Sequence, residues 1–181
     1  MSNKDNLYII DGSAIAYRSY YAMKRAGLVR SDGFPTGACY AFFNSVYNLL
    51  ENREPDHIVM VFDASEKTFR HEIFPDYKAT REAMPDDLVQ QLPYIHDLTR
   101  ALNIDVIIEP GFEADDVLGT LAKRAEKKGM QVFMVTGDKD LMQMLDENIH
   151  MYKPGRGKKE DEIITSKELR EKWDIRQEQV A

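Results

Sequence analysis

The sequence predicts an α/β fold, a mainly parallel central sheet flanked by helices, and three observations predict it. Residues 7–11, 58–63 and 132–138 are apolar runs that each close on an aspartate, Asp11, Asp63 and Asp138, the pattern of strands buried on both faces. Amphipathic segments separate these runs in the alternation that right-handed crossovers require. The breaks carry turn formers, as in Gly33-Phe34-Pro35-Thr36-Gly37 and at Gly129, where glycine and proline set the backbone.

The elements follow in order. After the first strand, residues 13–23 predict a helix and residues 38–51 an aromatic-rich one. The second strand ends at Asp63. Residues 64–85 have no clean periodicity, carry both charges and close on Met84-Pro85; a stretch of that length without an element is usually functional or mobile. An amphipathic helix is predicted over 86–102, a strand over 104–108, a helix over 113–128 and a strand over 131–136. A short helix over 138–145 and a strand over 149–152 come next. The basic run Lys153-Pro154-Gly155-Arg156-Gly157-Lys158-Lys159 meets Glu160-Asp161-Glu162 at once, which reads as a solvated hairpin tip. Ser166 can cap a helix to Trp173, and residues 177–181 read as the first turn of another.

At 181 residues the chain suits one domain with a real core. The polar start and the lack of any long apolar run predict a soluble, cytoplasmic protein with no membrane partner. The lone Cys39 reads as a buried structural thiol, and His57, His71, His96 and His150 lack zinc-ligand spacing. A net charge of −7 argues against a nucleic-acid partner at first sight. Yet Asp11, Asp63, Glu113, Asp115, Asp116, Asp138 and Asp140 account for all of that excess, and bound cations would turn the same patch into an attractor for phosphate.

Taken singly, these acids have ordinary explanations: a turn at Asp11-Gly12, a cap at Asp138, and a helix start at Glu113, Asp115 and Asp116, where acids favour the dipole. A parallel sheet brings all of them to one edge, where ligand sites lie, and independent capping does not predict that convergence. Oxygen donors without a histidine or cysteine set favour Mg²⁺ or Mn²⁺ over zinc. So many carboxylates suit two ions roughly 3.5–4 Å apart. At about 100° per residue, Glu113 and Asp116 share a helix face while Asp115 points elsewhere, yet all three can approach one site if they lie at the helix mouth.

The same residues carry a resemblance. Leu7 to Asp11-Gly12, Arg18, the 33–37 turn, Asp63, Phe69-Arg70, Tyr77-Lys78-Ala79-Thr80-Arg81, Glu113-Ala114-Asp115-Asp116 and Thr136-Gly137-Asp138-Lys139-Asp140 together resemble the 5′-nuclease (flap endonuclease) family over the whole chain. The resemblance is nearest to the amino-terminal 5′-3′ exonuclease domain of bacterial DNA polymerase I and its free-standing relatives. It implies a PIN-like three-layer fold with a helical arch or clamp over about 64–85, and metal-dependent hydrolysis of phosphodiesters near a 5′ end or flap. The implied partners are DNA with 5′ ends or flaps and RNA primers on DNA, for a monomer that can carry a linked polymerase domain. The implied ligands are Asp11, Asp63, Glu113 and Asp115, with Asp116 nearby, for a tighter Mg²⁺ or Mn²⁺ site. Asp138 and Asp140 lean toward a second ion, present in the full domain.

By the same resemblance Lys78 and Arg81 meet the scissile phosphate, Arg70 is another arch cation and Tyr77 can stack on a base. Composition alone leaves the arch neutral, with Lys67, Arg70, Lys78 and Arg81 offset by Glu66, Glu72, Asp76 and Glu82, so a solvated loop is an equal reading. Interleaved Phe69, Phe74 and Tyr77 favour single-strand contact, with Lys67 in reach of the strand, and Arg18 among tyrosines reads as a phosphate contact. Thr80 departs from the asparagine of many relatives. The expected organisation is a catalytic domain over 1–175, with 176–181 opening a helix–three-turn–helix module whose remainder, with further second-site aspartates, would follow Ala181. A DNA- and metal-binding fragment that cuts poorly is the competing reading. A PIN-type ribonuclease fits less well, because compact relatives of that kind lack so long a charged segment. A haloacid-dehalogenase-like phosphatase would want an aspartate where Ser13 stands.

Overall fold

The structure is a computed structural model that describes residues 4–155 and 160–180. Six strands form one sheet: β1 Asn6–Asp11, β2 His57–Phe62, β3 Asp105–Ile108, β4 Gln131–Val135, β5 Ile149–Lys153 and β6 Glu162–Ile164. Their order is β3-β2-β1-β4-β5-β6. The first five are parallel, and β6 returns antiparallel to β5. The chain builds outward from β1 to β3 and then crosses back to lay β4 on the other side of β1. The order therefore switches between β1 and β4, and in open α/β sheets the crevice beyond such a switch receives ligands.

Alternation along the central strands supplies two cores. Ile10, Met60, Phe62 and Val135 face α1 (Gly12–Met23), α2 (Gly37–Arg53) and α4 (Asp86–Ala101). Ile9, Val61, Val132 and Met134 face α5 (Ala114–Lys127) and Leu169 of α6 (Ser166–Trp173). Residues adjacent in sequence are thus buried in opposite layers, which is why the strands read as unbroken apolar runs. This is the three-layer architecture expected. Gly129, at φ 85°, ends α5 in the left-handed region, where glycine carries no Cβ penalty.

Several expectations shift in detail. The 138–145 segment is a 3₁₀ stretch, Asp140–Met144, and another covers Gln177–Gln179. The arch segment holds only α3, Phe69–Ile73, followed by consecutive turns through residue 80; its unbalanced periodicity gives no amphipathic face on which longer helices could pack. Cys39 is half-buried, its amide donating to Gln91 Oε1 at 3.0 Å, and burial pushes its thiol pKa up. The basic run does join β5 to β6, but Arg156–Lys159 lie outside the described residues. Beside that connection Asp161 accepts from Tyr152, Arg53 and the Gly155 amide. Among the described residues no helix is long and apolar enough to cross a membrane.

Candidate metal centre

Asp11 ends β1 and caps α1: Oδ1 accepts the Ala14 amide at 2.8 Å, and Oδ2 accepts the Thr136 hydroxyl at 3.0 Å. Thr136, buried at the end of β4, accepts the Asp138 amide at 3.1 Å, and Asp138 Oδ1 accepts the Asp140 amide at 2.9 Å. On the other side of β1, the Asp63 amide donates to Ser13 Oγ at 2.9 Å while Asp63 Oδ1 accepts the Ala114 amide, the start of α5, at 2.8 Å. Backbone donors and two hydroxyls therefore knit three strand ends and one helix start into a single edge. The sequence assigned Ser13 and Thr136 no role at the site; the signal was a hydroxyl two residues from each strand-end aspartate.

Gly12 allows this close approach. A Cβ there would lie 2.6 Å from the Phe62 ring, so α1 can start hard against the end of β2 only with no side chain at that position.

The acidic start of α5 splits in two directions. Asp115 lines a cavity of about 320 Å³ with Asp11, Asp63, Glu113 and Asp138, and Lys78 and Arg81 line it too. Burial, then the Asp11, Asp138, Asp63 and Glu113 charges, push the Asp115 carboxyl up to about 7. Burial likewise raises Asp11 against the pull of its two donors. Asp116 instead turns away to Arg70, at 2.6 and 2.7 Å, and the Arg70 hydrogen bonds hold its carboxyl below the usual range. All three acids of this helix mouth line the larger cleft described below, but only Glu113 and Asp115 line the smaller cavity. At a helix mouth the capping geometry decides direction: Asp116 Oδ2 accepts the Glu113 amide at 3.1 Å, which draws it back outside the cavity.

The arch residues close over this edge. Lys78 Nζ lies 2.9 Å from Glu113 Oε1, and the Tyr77 hydroxyl donates to Glu113 Oε2 at 3.2 Å. Burial opposes the Lys78 charge, but the Glu113 carboxylate outweighs it and raises the ammonium pKa. Arg70, Tyr77 and Lys78 also line a second cleft of about 740 Å³ with Asp138 and Asp140. Arg18, half-buried on α1, and Lys67, exposed ahead of α3, line neither cleft. Of the thirteen residues singled out, the structure thus gathers eleven around one edge.

Among the described residues, no three acidic, histidine or cysteine side chains stand close enough together to coordinate one ion. Asp11, Asp63, Glu113 and Asp116 are each turned to an internal donor instead. Asp115 has no such donor among the described residues and carries the uncompensated repulsion of four neighbours. Hard oxygen donors around unbalanced negative charge fit a divalent cation.

Residues 6–174 match the family model for the 5′-3′ exonuclease N-terminal, resolvase-like domain. A 5′-3′ exonuclease of Aquifex aeolicus is 37% identical over 174 residues, 96% of this chain and 58% of that protein. The thermostable DNA polymerase I of Thermus thermophilus is 43% identical over 176 residues, 97% of this chain but 20% of its own length. The chain thus spans about a fifth of the polymerase relatives. The bacteriophage T5 5′-exonuclease, solved with zinc bound, superposes at TM-score 0.69 with 15% identity, covering 94% of this chain and 61% of that one, which shows a shared fold.

Proposed function

Because the chain belongs to the family of 5′-3′ exonuclease N-terminal, resolvase-like domains, we propose that it hydrolyses nucleic-acid phosphodiesters near 5′ ends or at 5′ flaps, DNA and RNA primers alike. The observation that carries this reading is the 320 Å³ cavity where carboxylates from β1, β2, the start of α5 and the end of β4 meet Lys78 and Arg81. Asp11, Asp63, Glu113 and Asp115 would hold a first Mg²⁺ or Mn²⁺, and Asp138 and Asp140 would contribute to a second. Such cations supply positive charge that polarises a phosphodiester and acidifies water.

The chain's own residues do the positioning. Lys78 and Arg81 pair with non-bridging phosphate oxygens, where charge builds as water adds to phosphorus and the ester oxygen leaves. Lys78 is held by Glu113 until a substrate phosphate competes for the ammonium or a cation competes for the carboxylate. Tyr77, beside it, offers a stacking face to an unpaired base. Arg18 and Lys67, outside the clefts, suit phosphates of the approaching strand. Thr136 and Ser13 keep Asp11 and Asp63 oriented without charge of their own.

Cleavage of a 5′-flap DNA during Mn²⁺ titration tests the reading. Cleavage near the flap junction that is lost in Asp63→Ala supports it; binding of the flap with no cleavage at any cation concentration refutes it for this chain.

A further inference from the structure

We infer that Asp116 serves the arch rather than the cation site, acting with Arg70 as a clamp that seats the arch root on the start of α5. Both guanidinium nitrogens take part: Nη1 meets Oδ2 at 2.6 Å and Nη2 meets Oδ1 at 2.7 Å. This bidentate fork has the geometric specificity that a single ion pair lacks. Asp116 Oδ2 also accepts the Glu113 amide, so both oxygens are committed, one of them twice.

Three further observations agree. Asp116 is absent from the cavity that Asp11, Asp63, Glu113, Asp115 and Asp138 share; it lines the flank beside Phe112 and Arg124 and, with Arg70, the wall of the larger cleft. The arch root is fastened at neighbouring points, with the Phe69 amide donating to Gly111 O at 3.1 Å and the Phe69 and Phe112 ring centroids 5.8 Å apart. Arg70 Cζ lies 4.7 Å from the centroid of the Phe69 ring, a cation–π contact that gives the guanidinium a second hold at the arch root. From this root the turns run on to Tyr77 and Lys78, which reach Glu113. Asp116 is thus a positioning residue: it fixes where the arch starts, and so where Lys78 can reach.

The inference builds on the proposed cation site only in contrasting Asp116 with Asp115. Hydrogen exchange of the whole chain in chelator, with parent, Asp116→Asn, Arg70→Gln and the double variant, tests it without any metal. Asparagine keeps the Oδ1 that can cap the Glu113 amide, so α5 stays intact. The amides of Phe74, Tyr77, Ala79 and Arg81, all bonded within the arch, should exchange about tenfold faster in either single variant and no faster in the double. A calorimetric Mn²⁺ titration should find Asp116→Asn within about threefold of parent, since no ligand is lost. Unchanged arch exchange in Asp116→Asn, additive effects in the double variant, or a loss of Mn²⁺ affinity equal to that of Asp115→Asn would overturn the clamp. The cation-site reading fails separately, if Asp115→Asn titrates like the parent.

Discussion

Lys78 reaches Glu113 from a backbone in the left-handed region, φ 55°, to set its ammonium 2.9 Å from Oε1. A lysine there costs about 1 kcal/mol, and the ion pair offsets it. The arch, through Lys78, and the acidic edge therefore hold each other in the metal-free protein. Lys78 stands where a cation would draw Glu113 inward.

Removing Lys78 should have opposite effects on binding and cleavage. In Lys78→Ala, Mn²⁺ affinity without DNA rises about two- to threefold, the scale of a partly exposed ion pair, while flap cleavage falls about 100-fold through loss of charge at the phosphate. Calorimetry and single-turnover cleavage read the two separately. Weaker Mn²⁺ binding in the variant would contradict the competition.

Asp115→Asn should stabilise the metal-free protein. The Asp115 carboxyl rises from 3.8 to about 7 in the fold, so the folded state holds that proton more tightly than the unfolded one. Its destabilising effect is absent below pH 3.8, grows up to about pH 7 and is constant above. In chelator at pH 8 the variant should melt on the order of 5 °C higher than parent, with the gap closing as pH falls through that window. Parallel melting profiles would refute this.

Gly12→Ala should lower both stability and activity. Its Cβ would meet the buried Phe62 ring at 2.6 Å, and such overpacking costs about 1–3 kcal/mol. The ring cannot yield easily, stacked near Phe42 and edge-on to His96, and it precedes Asp63. A thermal melt equal to parent would show that the close approach is not binding on the fold.

Asp161→Asn should loosen the β5–β6 hairpin. Its carboxylate gathers donors from Tyr152, Arg53 and Gly155, and losing the charge costs about 1–3 kcal/mol. Denaturant unfolding measures this, and a midpoint equal to parent would contradict it.

Most of the sheet was legible because β1, β2 and β4 are buried on both faces and so carry unbroken apolar runs that stop at the aspartates. β6 was missed because three residues, Glu162–Ile164, hold too little pattern, and α3 because its five residues are shaped by the Thr68 and His71 cap more than by periodicity. Convergence of the acids followed from topology and was readable. Their directions were not: Arg70 and Asp116 are 46 positions apart, and nothing local to either reveals the fork. Thr136 reaching Asp11 across 125 positions is likewise a product of β1 and β4 lying side by side.

Mn²⁺ binding followed by electron paramagnetic resonance, in parent, Asp63→Ala and Asp115→Asn, tests the central claim most directly. The sheet-edge carboxylates as a cation site predict at least one bound ion in the parent and an affinity at least about tenfold weaker in each variant. Equal Mn²⁺ binding by all three proteins would contradict it.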